Sequence, residues 1–215
     1  MKESLEVLFL GPREWKALFR VPRLWKVEAL FWTHYLVRFA PLDIYLQARA
    51  LKRPFGDFRY GETPWFTAEE ILREAELGPD DVFIDLGCGR GKMVFMAHLL
   101  TGAQAIGVDL LASYLVVARR IVAWLGLDGV SFRHQDFADT PLEEVTCVYV
   151  AGTVFEEDTR LDLAACVDDL AEGTRWISVG WQTLHPDLEL WRQQEYLFSW
   201  GRETVYFHRV RRQGD

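Results

Sequence analysis

The chain has 215 residues, of which half are apolar and 26% are charged. That suffices for one domain of ordinary size with a short extension, and it excludes a disordered chain. The formal net charge of −8 argues against a general nucleic-acid coat, which needs a basic surface to displace counterions.

In chain order, residues 13–53 read as helices punctuated by Pro12, Pro22 and Pro41. This stretch is basic and aromatic. Residues 1–60 carry 11 Lys and Arg against 6 Asp and Glu, whereas the remaining residues carry 13 against 26. Trp15, Phe19, Trp25, Phe31, Trp32, Tyr35 and Phe39 interleave with Arg13, Lys16, Arg20, Arg23, Lys26 and Arg38. Four readings are open: an extra helical layer packed on the rest of the chain, an interfacial membrane helix, a lid over an acceptor site, or, least favoured, a face that stacks nucleic-acid bases. No run reaches the roughly 18 apolar residues expected of a spanning helix. The pattern predicts an N-terminal helical aromatic and basic extension, residues 1–59, followed by a catalytic or binding domain, residues 60–215.

A turn follows around Pro54-Phe55-Gly56-Asp57. Thr67-Ala68-Glu69-Glu70 has capping-box spacing and opens a helix that Gly78-Pro79 closes. Strands and helices then alternate. Strands are expected at 82–84, 105–108, 130–132, 145–150 and 176–179, and helices at 92–100, 112–125 and 156–171. A hairpin-like pair is expected at 196–200 and 203–210. This order implies an α/β fold with a doubly wound, mostly parallel sheet, which binds ligands beyond the carboxyl ends of its strands. Cys88, Cys147 and Cys166 form no CxxC pair, and the five histidines show no metal-ligand spacing. A reducing cytoplasm and no metal are expected.

The informative stretch is Val82-Phe83-Ile84-Asp85-Leu86-Gly87-Cys88-Gly89-Arg90-Gly91-Lys92. An apolar strand runs into Asp-Leu-Gly-x-Gly-x-Gly and then a helix. Gly87, Gly89 and Gly91 let the backbone turn tightly and approach a ligand. A phosphate-cradling loop fails, because Leu86 and Met93 stand where Gly and Ser/Thr are needed. A dinucleotide loop fails, because Lys92 stands where the third Gly belongs, and an anion would dislike Asp85. A cationic ligand fits instead, such as S-adenosylmethionine, with its sulfonium and ammonium. Asp109 at the next strand end suits two ribose hydroxyls, and Asp136-Phe137 after the third strand suits an adenine amino group and ring.

This ordering resembles the class I S-adenosylmethionine-dependent methyltransferases, over about residues 60–210. The resemblance implies a Rossmann-like, seven-stranded sheet. Tyr60-Gly61-Glu62-Thr63-Pro64 narrows it: the chain resembles the non-SET protein lysine methyltransferases of the "disruptor of telomeric silencing" type, and also the small lysine methyltransferases that modify membrane-carrier or ATP-synthase subunits. The resemblance implies that Tyr60, Glu62 and Thr63 contact the cofactor, together with Asp85, Gly87, Cys88, Gly89, Gly91, Asp109, Asp136 and Phe137. Two departures stand out. Cys88 replaces the usual Ser, and Val150-Ala151-Gly152-Thr153-Val154-Phe155 lacks the asparagines that line the lysine channel in the histone-type enzymes.

Methyl transfer from a sulfonium needs alignment and desolvation more than a general base. Phe155 and Trp181 are the candidate channel walls, with Tyr149 a weaker third. The expected activity is methylation of protein lysine. The alternatives are methylation of a small amine or other metabolite, and a module that holds the cofactor without catalysis. The expected partners are the methyl acceptor and a membrane surface at the N-terminal helices.

Overall fold

The computed structural model describes residues 10–37, 61–152 and 155–212. Two helices open it, α1 (Leu10–Arg20) and α2 (Leu24–Val37). Pro12 sits in the first turn of α1, where a missing N–H costs nothing, and Pro22 lies in the break before α2. Next come α3 (Trp65–Glu74), β1 (Val82–Leu86), α4 (Lys92–Thr101), β2 (Gln104–Asp109), α5 (Ala112–Leu125) and β3 (Val130–His134). The chain continues through β4 (Cys147–Val150), α6 (Glu157–Ala165), β5 (Arg175–Val179), β6 (Leu188–Phe198) and β7 (Gly201–Val210).

The strands form one sheet in the order β3-β2-β1-β4-β5-β7-β6. The first five are parallel, and β7 runs antiparallel to both neighbours. The expected mostly parallel sheet is present, and its strand order reverses between β1 and β4, which opens a crevice at their carboxyl ends. Side-chain alternation assigns the two faces. Phe83, Cys147, Tyr149 and Ile177 join an apolar cluster with residues of α1 to α5, whereas Ile84, Leu86, Val148, Val150 and Trp176 join a second with Leu163 of α6 and Val167. Asp85, two residues from Phe83, therefore lies on the first face, directly beside Tyr149 in the β1–β4 register.

The N-terminal helices belong to that first layer. Ala17, Leu18, Val21, Leu24, Val27 and Phe31 are buried in the same cluster as Trp65 and Phe95. Their outer face carries Trp15 stacked on Phe19, ring centroids 5.9 Å apart, and Phe19 is 71% exposed. Arg20 reaches across to Glu69 at 2.8 Å, and Glu28 accepts the indole N–H of Trp65 at 2.9 Å. The proposed boundary at 59/60 and the turn at 54–57 lie outside the described residues.

Four expectations need correction. The capping box at Thr67 does not form: α3 starts earlier, at Trp65, and Thr67 is buried and donates to the carbonyl of Leu197. The helix expected over 156–171 ends at Ala165 and passes into a 3-10 turn, Cys166–Asp169. β4 starts at Cys147 rather than 145. The hairpin is much longer than expected, because β6 begins at Leu188; its first part is exposed on the sheet edge, so no apolar alternation marks it.

Candidate functional site

Three strand tips, of β1, β2 and β3, lie side by side along the carboxyl edge of the sheet, beginning at the crevice. β1 delivers Asp85 and the glycine loop. The N–H groups of Gly87 and Cys88 both donate to the carbonyl of Val108, each at 2.9 Å, so the loop folds back over the end of β2. Gly87, Gly89 and Gly91 have φ of 89°, 51° and 83°, a region that side chains disfavour. At Gly91 sterics add to this: a Cβ would sit 2.4 Å from the ring of Phe132. Gly91 is thus required by the β3 side chain beneath it, a packing reason added to ligand approach.

Asp85 is 4% exposed and accepts no hydrogen bond from any described residue. Burial pushes its carboxyl well above the ordinary range, and the nearby Asp109 pushes it further. Asp109 is half-buried. Its Oδ2 accepts the N–H of Gly89 at 2.8 Å and its Oδ1 the N–H of Leu111 at 2.7 Å. Burial raises its pKa against the opposing pull of those donors. Two acids on neighbouring tips, one without a partner, form a site that a cation or a set of hydroxyl donors would satisfy. A sulfonium nucleoside, with its ammonium and its ribose hydroxyls, fits these residues.

At the third tip, Asp136 Oδ1 accepts the N–H of Ala138 at 3.2 Å and starts the short 3-10 turn Phe137–Asp139. Phe137 is packed into the second apolar cluster with Leu86 and Val108, behind the tips. Cys88 is buried beside Gly107, and burial raises its thiol well above the usual value, so it acts as a small neutral filler.

The segment 61–64 closes over these tips. Glu62 pairs with Arg90 of the glycine loop and lies 3.5 Å from Lys92 Nζ. Thr63 Oγ1 lies 3.0 Å from the hydroxyl of Tyr149, the neighbour of Asp85. Gly61 abuts Trp200 from the β6–β7 turn, where a Cβ would meet the ring at 2.4 Å, and the N–H of Glu62 donates to Ser199 Oγ at 3.2 Å. Tyr60 lies outside the described residues. Arg90, Lys92, Ser199 and Trp200 were missed in the sequence. Lys92 and Arg90 carried a readable signal, two cations in a loop that holds no phosphate motif. The turn residues carried none, because only the antiparallel β7 brings them here.

Phe155 reaches the glycine loop: its ring lies 3.7 Å from a Cβ built on Gly87, and it covers Gly152. Trp181, just past β5, is 8% exposed and belongs with Phe137 to the second cluster, against which Phe155 also packs. Tyr149 is fully buried and hydrogen-bonded, and burial raises its phenol, so it is a structural neighbour of Asp85. Away from the tips, Asp168, His185 and Asp187 converge. His185 spends Nε2 on Asp168 at 3.2 Å and Nδ1 on the N–H of Asp187, while Arg212 pairs with Asp187, so the cluster is tied up by its own contacts.

Known proteins match this architecture. The family model of "Histone methylation protein DOT1" matches residues 43–187, more than half of the chain. A "Histone-lysine N-methyltransferase, H3 lysine-79 specific" of Cryptococcus neoformans is 33% identical over 135 residues, 56% of this chain and 21% of that protein. The chain thus spans about a fifth of the length of that relative. A "Geranyl diphosphate 2-C-methyltransferase" of Streptomyces coelicolor is 30% identical over 171 residues, 74% of this chain and 53% of that protein. Among solved structures, an RNA methyltransferase from Salinibacter ruber in complex with S-adenosyl-L-homocysteine superposes with a TM-score of 0.62 at 24% identity, covering 72% of this chain and 96% of that one.

Proposed function

We propose, from the membership of this chain in the family of histone methylation protein DOT1, that it is an S-adenosylmethionine-dependent methyltransferase whose acceptor is a protein lysine. The observation that carries this reading is the buried, unpartnered carboxylate of Asp85 next to Asp109, under a glycine loop. Asp85 would meet the ammonium end of the cofactor, Asp109 the ribose hydroxyls, and Asp136 the adenine amino group. When bound, the cofactor supplies an electrophilic methyl, and the chain's residues supply alignment and exclusion of water.

Glu62 is held by Arg90 and Lys92, and Thr63 by Tyr149, so the segment 61–64 is positioned to close the crevice from the β6–β7 side. Phe155 borders the loop on the acceptor side. An apolar wall there favours the neutral form of an entering amine, which is the nucleophilic form. Small-molecule methylation is the second reading, and it is favoured by the similarity to the Streptomyces enzyme. Labelled methyl transfer from S-adenosylmethionine into lysate, with amino-acid analysis, decides between them. Methyl-lysine in protein is expected; label only in small molecules would overturn the lysine reading.

The outer face of the N-terminal helices supports contact with an anionic membrane surface. Trp15, Phe19, Trp25 and Trp32 are exposed among Lys16, Arg20 and Lys26. No helix among the described residues is long and apolar enough to cross a membrane. Flotation of the full chain with anionic liposomes should be lost when those four aromatics are replaced by serine, and equal flotation removes the contact. The three free thiols support a cytoplasmic setting.

A further inference from the structure

Past the carboxyl ends of β4 and β5, two buried hydrogen-bond donors have no acceptor among the described residues. They are the indole Nε1 of Trp181 and Nε of Arg160, on α6. The guanidinium of Arg160 lies over the Trp181 ring, 5.6 Å from its centroid. This is an unusual way to use an arginine here. Glu156, Glu157, Asp158 and Asp162 flank it in sequence, yet it makes an ion pair with none of them. Its guanidinium lies over an aromatic face instead. Buried donors left without partners cost free energy unless a ligand completes them, and a guanidinium stacked on an aromatic is pre-organised for a carboxylate.

We infer that Arg160 and Trp181 form a carboxylate-binding subsite for the acceptor, and that the acceptor is an acidic protein segment: a lysine with an Asp or Glu close by in sequence. This rests on the protein-lysine reading above and names the substrate class of that site. The position supports it. α6 follows β4, and Trp181 follows β5, so both donors stand at the same sheet edge as the glycine loop. Trp181 belongs to the apolar cluster against which Phe155 packs, and the Phe155 ring in turn lies near Gly87 of that loop.

The test uses fluorescein-labelled decapeptides with a central lysine, flanked either by glutamates or by glutamines, and the full chain loaded with S-adenosylhomocysteine. Fluorescence anisotropy reads binding without turnover. The wild type should bind the glutamate peptide about 10-fold or more tightly than the glutamine peptide, as a charge-assisted hydrogen bond to a buried donor implies. Arg160→Gln should bring the two affinities together, and Arg160→Lys should restore part of the difference. Trp181→Phe keeps the ring, removes the N–H and should narrow the gap. Retained binding of S-adenosylhomocysteine shows that each variant is folded. Equal binding of both peptides by the wild type, binding of neither, or a preference that survives Arg160→Gln overturns the subsite. A glutamate preference without any methyl-lysine product leaves the subsite standing and removes the lysine-transfer reading instead.

Discussion

Gly91→Ala tests how the glycine loop is built. The residue has φ of 83°, so any side chain there costs about 1–2 kcal/mol in backbone conformation alone. The new Cβ would also lie 2.4 and 2.5 Å from two carbons of the Phe132 ring. That ring cannot swing away freely, because it also packs against Gly107, where a Cβ would lie 2.6 Å away, and against Phe95 at a centroid distance of 5.5 Å. Overpacking of this kind costs roughly 1–3 kcal/mol more, for a total of about 2–5 kcal/mol. Gly126→Ala is the matched control. Its φ is 55°, with nothing within 4 Å of the added Cβ, so only the conformational cost remains. Urea unfolding of both variants should separate them by about 2 kcal/mol, with a corresponding Tm gap of roughly 4–8 °C. If Gly91→Ala is no worse than Gly126→Ala, the Phe132 floor is soft and the packing argument for this glycine fails.

Two further outcomes follow from buried ionisable groups. Burial in the β5–β7 ladder pushes the His208 imidazole down to about 4 from 6.5, so it is neutral in the fold and charges on unfolding at mildly acid pH. The stability it contributes is full above pH 6.5 and is lost as pH falls toward 4, about 3 kcal/mol in all. His208→Leu should flatten the loss of Tm across that window, and an unchanged slope would refute the assignment. Lys92 is buried between Glu62 at 3.5 Å, Glu14 at 3.8 Å and the Trp65 ring at 4.6 Å. Lys92→Met strands Glu14, whose carboxyl burial already pushes up, and should cost about 3–5 kcal/mol. Adding Glu14→Gln should recover part of that loss, and additive costs would show that the two residues do not interact.

The parallel sheet and the three acidic tips were readable because each is local: an apolar run, an acid, then glycines or a helix start. Asp85, Asp109 and Asp136 needed only the rule that successive strands end at one edge. What closes the crevice was not readable. Lys92 looked like a flaw in a nucleotide loop, and its role emerged only when Glu14 and Glu62 arrived from distant parts of the chain. Trp200 and Ser199 reach the site because β7 is inserted antiparallel beside β5, a long-range pairing without local signature. The early part of β6 was missed for a related reason: on the sheet edge its side chains face solvent, so the run around Arg192, Gln193 and Gln194 carries no strand pattern. Thr67 misled because a buried hydroxyl bonded to Leu197 has the same spacing to Glu70 as a cap.

The most direct test is calorimetric titration of S-adenosylmethionine into the purified, ligand-free chain. The strand-tip account predicts saturable binding at one site. It also predicts that Asp109→Ala weakens binding by about 10- to 100-fold, the loss of charge-assisted hydrogen bonds to the ribose, while Asp109→Asn falls between. No heat of binding to the folded wild type, or the same affinity after Asp109→Ala, contradicts it.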